Sequence, residues 1–157
     1  MADSKNTTTL PARSVVCANE HVDPAKLPDQ YVVEVQGACL QPVLADGALA
    51  LIDKTEPYAP GDLVVLYWRP EFLKPGQLQG IVKRLVMAPP PLVKFPYSDN
   101  PESEVVALVV VQQLNPQRQH MIKCAELLAV YRCLGPVPAG MKTYRVKSGQ
   151  RELEAVS

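Results

Sequence analysis

The side chains best suited to metal, redox or nucleophilic chemistry in this sequence are four cysteines and two histidines. Cys17, Cys39, Cys124 and Cys133 stand far apart and form no Cys-x-x-Cys pair, the spacing by which zinc sites and dithiol motifs are recognised. His21 and His120 belong to no triad-like pattern, and each reads as a surface or internally satisfied histidine. No metal and no cofactor is therefore expected. What remains is a thiol used singly, as a nucleophile or as a small buried apolar group.

Any such thiol must be positioned by short, proline-broken elements. Of the 157 residues 16 are proline, and nine of these fall between Pro57 and Pro101. Each proline removes an N–H and clashes with a preceding helical turn, so helical bundles and coiled coils are excluded. From Tyr31 onward, runs of Val, Ile, Leu and Tyr alternate with Pro, Gly, Asp and Asn. This texture predicts strands at Tyr31 to Val35, Ala48 to Asp53, Leu63 to Trp68, Ile81 to Met87, Leu92 to Phe95, Val105 to Gln112, His120 to Lys123 and Leu127 to Leu134. A further strand is placed at Thr143 to Lys147. The expectation is a mostly β single domain over 30–135, preceded by a flexible arm at 1–29 and followed by an extension at 136–157 with one strand and a tail.

Charge and hydropathy narrow the partners. Sixteen basic residues balance sixteen acidic ones, which argues against sequence-independent nucleic-acid binding through many phosphate contacts. The balance is uneven locally: eight acids and two bases lie between Cys17 and Asp62, and seven bases and one acid between Pro116 and Arg151. Complementary surfaces within one domain or a dimer account for this. Met1 to Leu10 carries no apolar run of signal-peptide length, and no stretch approaches the roughly 20 apolar residues of a membrane span. A cytoplasmic protein with free thiols, no membrane contact and no DNA-binding domain is the expectation.

Four motifs follow one another along the chain: Gly37-Ala38-Cys39-Leu40-Gln41-Pro42, the Asp46-Gly47 turn, Pro60-Gly61-Asp62, and Val82-Lys83-Arg84-Leu85. In order and placing the series resembles the catalytic domain of the LexA-type and UmuD-type self-cleaving proteins, which share a fold with bacterial signal peptidases. The resemblance covers roughly Tyr31 to Gly135. It implies that Cys39 stands at the family's nucleophilic serine, Leu40 at its methionine, Pro42 at its proline and Lys83 at its general-base lysine. Ala38 replaces the family's acidic or amide residue.

The resemblance implies a peptidase of the Ser/Lys-dyad type with a Cys39/Lys83 pair, cleaving its own arm or another peptide. Ile81, Val82, Leu85 and Val86 give Lys83 an apolar setting, and Arg84 is expected on the opposite strand face, in solvent. The turn after Gly37 is expected to aim the backbone N–H groups of Cys39 and Leu40 at a developing oxyanion. The alternative is a catalytically impaired interaction module that dimerises and binds a protein partner, with Cys39 as a small buried group. Family members cut at Ala-Gly or Cys-Gly. The arm holds neither, its nearest candidate being Cys17-Ala18, and Ala139-Gly140 reads as a turn. The strand at Leu127 to Leu134 resembles the family's dimer-contact strand, which implies a homodimer.

Overall fold

Apolar runs bounded by glycine, proline and aspartate become extended segments in the computed structural model. The structure describes residues 13–16, 22–37, 39–138, 142–147 and 150–155. The strands are β1 (Arg13–Val16), β2 (Gln30–Glu34), β3 (Leu49–Asp53), β4 (Leu63–Trp68), β5 (Gly80–Met87), β6 (Leu108–Leu114), β7 (Gln117–Lys123), β8 (Leu127–Pro136), β9 (Lys142–Lys147) and β10 (Gln150–Ala155). Among the described residues there is no α-helix, only short 3-10 turns. Seven strands form an antiparallel sheet in the order β2-β3-β8-β4-β5-β6-β7. Beyond β2 the sheet continues through β1, β9 and β10, with parallel pairing of β1 to both β2 and β9.

Strand β4 reads Leu-Val-Val-Leu-Tyr-Trp, with no polar alternation, because it lies between β8 and β5 and buries both faces. Leu63, Val65 and Tyr67 enter one core with Tyr31, Val33 and Ile52. Val64 and Leu66 enter a second core with Leu85, Val109 and Val111. In the first core the buried hydroxyls of Tyr31 and Tyr67 satisfy each other at 2.6 Å, and burial pushes both phenols well above their ordinary range. Cys124 and Cys133 are free and buried, and desolvation pushes each thiol up to about 11. Both act as small apolar groups.

Three features differ from the sequence reading. Leu92 to Phe95 is not a strand: the Val93 N–H closes a turn on the Pro90 carbonyl at 3.0 Å, and the preceding prolines lack the donors a ladder needs. Both flanks add unexpected strands, β1 and β10, whose short or polar sequences show no apolar alternation. Finally, β8 hydrogen-bonds β3 along one edge and β4 along the other. It also runs on past Leu134 to Pro136, and Leu127, Ala129, Val130 and Cys133 on it are buried.

Two outcomes follow from the packing. A Cβ added at Gly80 would stand 2.9 Å from the Tyr67 Cε1, against a ring held by its hydroxyl bond. Gly80→Ala is expected to cost about 1–3 kcal/mol in urea unfolding, and an unchanged midpoint would contradict this packing. Asp53 is buried, and its carboxylate accepts from the Thr55 hydroxyl (2.6 Å), the Gln30 amide (2.8 Å) and the Thr55 N–H (2.9 Å), which hold its carboxyl below the usual range. A depressed carboxyl stabilises the fold above its unfolded value and loses that contribution as pH falls through the folded value. Asp53→Asn should therefore destabilise the protein by about 1–3 kcal/mol at pH 7, with the gap closing below about pH 4. Parallel melting curves across that range test it.

Candidate functional site

The segment from Val35 to Ala48 closes β2 onto β3, and its backbone continues the ladder: Val35 N–H donates to Ala48 at 2.8 Å and Gly47 N–H to Val35 at 2.8 Å. Gly37 (φ 88°) and Gly47 (φ 83°) take left-handed conformations that favour glycine. The Asp46 carboxylate ties the loop across its base, accepting the Gly37 N–H at 2.7 Å. Gly37 thus shapes the turn, and the N–H groups of Cys39 and Leu40 are the candidate oxyanion donors. Ala38 lies outside the described residues. Cys39 is half-buried, while Leu40 is inserted into the first core. Leu44 N–H donates to Leu40 at 3.0 Å, which leaves Pro42 on the exposed side of the loop.

Lys83 sits on β5, opposite Val64 of β4. The Pro60-Gly61-Asp62 turn docks two residues further along: Gly61 N–H donates to Leu85 and Leu85 N–H to Asp62, both at 2.8 Å. Asp62 also accepts the Ala59 N–H at 2.9 Å and lies 3.6 Å from Arg132. These residues order the turn and brace β5. Arg84 is less exposed than expected. It is half-buried with its Nε enclosed and without a hydrogen-bond partner, in register between Leu63 of β4 and Gln112 of β6.

Cys39 and Lys83 line the same groove, about 200 Å³ in volume. Its walls are largely apolar, with Val33 from β2, Val35 just after it, Val65 and Tyr67 from β4, and Ile81 and Val82 from β5. A cysteine and a lysine lining one apolar groove supply the groups that acyl transfer uses, with sulfur as nucleophile and nitrogen as proton carrier. Leu78, in the loop between β4 and β5, also lines it.

Three further residues at the site carry no signal in the sequence. Gln79, fully buried, accepts the Val22 N–H at 2.7 Å and donates to the Val22 carbonyl at 3.0 Å. One side-chain amide therefore pairs a backbone residue as a neighbouring strand would, and Val22 itself lines the groove. Gln113 accepts from the Lys83 amine at 3.4 Å and contacts His120 Nε2 at 3.2 Å. His120, read from sequence as a surface or internally satisfied histidine, is held below its ordinary value by desolvation and by the charges of Lys83 and Arg118. Glutamines at these positions belong to no motif, and only the fold brings them to the groove.

No group of three His, Cys, Asp or Glu side chains among the described residues is placed to hold a metal ion. No helix among them is long and apolar enough to cross a membrane. Comparisons with protein-family models, with curated proteins and with solved structures each find no match.

Replacing Gln79 by Leu removes both partners of the Val22 backbone. The Val22 amide should then exchange with deuterium at least about tenfold faster, while amides of β4 keep their protection. Equal exchange in both proteins would show that Gln79 does not clamp this segment.

Proposed function

We propose that the chain is a LexA-like peptidase-family domain in which Cys39 and Lys83 form a variant of the Ser/Lys dyad. The observation that carries this reading is that the thiol and the amine line one apolar groove, into which backbone of the same chain is already clamped at Val22. In the reaction, Lys83 takes the Cys39 thiol proton and the sulfur attacks the carbonyl carbon of a peptide bond. The oxyanion that forms is met by N–H groups of the Cys39 loop. Collapse breaks the C–N bond, the leaving amine takes the proton from Lys83, and a thioester remains. Water then gives a proton to Lys83 and its oxygen to the carbonyl carbon, releasing a carboxylic acid and restoring the thiol.

The substrate in this reading is an extended peptide presenting a small apolar side chain to the groove, from the chain's own arm or from a protein partner. Cys17-Ala18, the nearest candidate bond in the arm, lies outside the described residues. The setting is cytoplasmic, the assembly a homodimer, and no cofactor takes part.

A second reading, a non-catalytic module that binds a protein partner, is favoured by one specific contact. The Lys83 amine is already engaged by the Gln113 carbonyl, and a lysine held there can serve as structure alone.

Incubation of the purified protein at pH 7 and pH 9, followed by intact mass, separates the two. The dyad predicts cleavage of the chain or of an added apolar peptide, abolished by Cys39→Ala and by Lys83→Ala. It also predicts that Lys83→Met slows alkylation of Cys39 by iodoacetamide at pH 7 by at least about threefold, since a neighbouring ammonium favours a thiolate. Intact substrate throughout, with alkylation indifferent to Lys83, selects the binding module.

A further inference from the structure

Both members of the dyad are tied to one short turn. Where β6 passes into β7, the N–H groups of Leu114 and Asn115 donate to the carbonyl oxygen of Cys39 at 2.6 and 2.9 Å. From the same turn the Gln113 carbonyl oxygen accepts the Lys83 amine at 3.4 Å. The Gln113 amide nitrogen in turn donates to the Pro116 carbonyl at 3.1 Å.

That last bond decides the chemistry of the others. A backbone carbonyl only accepts, so the end of the Gln113 amide facing Pro116 is its nitrogen, and the end facing Lys83 is its oxygen. The same oxygen lies 3.2 Å from His120 Nε2. Since an amide oxygen cannot donate, His120 must carry its proton on Nε2. Desolvation, together with the charges of Lys83 from β5 and Arg118 on its own strand, favours the neutral ring. The histidine therefore holds the amide from behind without adding a positive charge beside the lysine, and its Nδ1 is left unprotonated. A lysine side chain has four flexible carbons and loses considerable rotamer freedom when fixed. An amide whose nitrogen donates to the Pro116 carbonyl and whose oxygen accepts from His120 supplies a fixed target for the amine.

We propose that the Gln113 to Pro116 turn sets the relative placing of Cys39 and Lys83, with Gln113 as the positioning residue for the lysine amine and His120 as its support. The proposal rests on the dyad reading and adds to it the element that aligns the pair. The segment runs from half-buried Gln113 and Leu114 to exposed Asn115 and Pro116, and it carries bonds to both residues of the pair.

The test combines Cys39 alkylation, followed by peptide mass mapping at pH 7, with nitrogen-15 NMR of His120 in the full chain. Gln113→Leu removes the acceptor, and Gln113→Glu keeps one. The expected result is alkylation slowed at least about threefold by Gln113→Leu, as by Lys83→Met, and retained in Gln113→Glu. The wild-type His120 should show the Nε2–H tautomer at pH 7.5, and Gln113→Leu should lose that preference. Wild-type alkylation in Gln113→Leu with slow alkylation in Lys83→Met overturns the positioning role and leaves the dyad standing. Wild-type alkylation in Lys83→Met removes the dyad and this proposal together. An Nδ1–H tautomer in the unaltered protein overturns the proposal without recourse to any variant, so a substitution that fails to fold does not shield it.

Discussion

Strand β4 has no polar face to offer to water, and the rest of the molecule is arranged around that constraint. Five of its six residues are buried, so it requires neighbours on both edges and apolar layers on both faces. Strands β8 and β5 supply the edges. The layers are the two cores, one built with β2 and β3, the other with β6 and β7. Val65 and Tyr67 extend from β4 under the groove, so the same burial that stabilises the sheet makes the groove apolar. The hydroxyl pair of Tyr31 and Tyr67 then spans from β2 to β4 and ties the strand leading to Cys39 to the strand beside Lys83.

Within that apolar setting, several polar side chains tie segments of the chain together. Asp46 closes the Cys39 loop, Gln79 holds Val22, and Gln113 holds Lys83. Lys54 similarly donates to the carbonyls of Pro24 and Leu27 and lies over the Tyr131 ring, which anchors the chain just before β2. Each is a side-chain bond to backbone or to another side chain, and all but the Asp46 bond join residues far apart in sequence. Such bonds contribute modest net energy but strongly penalise the loss of either partner. They fix geometry in loops where the sheet ladder is absent.

Much of the β architecture was legible in the chain. Leu63 to Trp68 is extended over the residues expected from its unbroken apolar character, and Asp46-Gly47 and Pro60-Gly61 turn where glycine permits positive φ. Leu92 to Phe95 misled because apolar composition resembles a strand until one asks where its hydrogen bonds go. β10 was missed for the opposite reason, since Gln150 to Ala155 carries almost no apolar signal and owes its extension to pairing with β9. Arg84 is less exposed than expected because alternation identifies a face but not what covers it.

The order of apolar runs and turn residues determined by itself that this chain forms a β-rich domain, and the series of short motifs singled out Cys39 and Lys83, because periodicity and turn chemistry are local properties. Only the tertiary structure decided that these two residues share a groove, that Gln79 and Val22 meet beside them, and that Gln113 and His120 stand behind the lysine. Those contacts join residues from separate strands and loops. Their geometry is set by strand order and register, which no local pattern encodes.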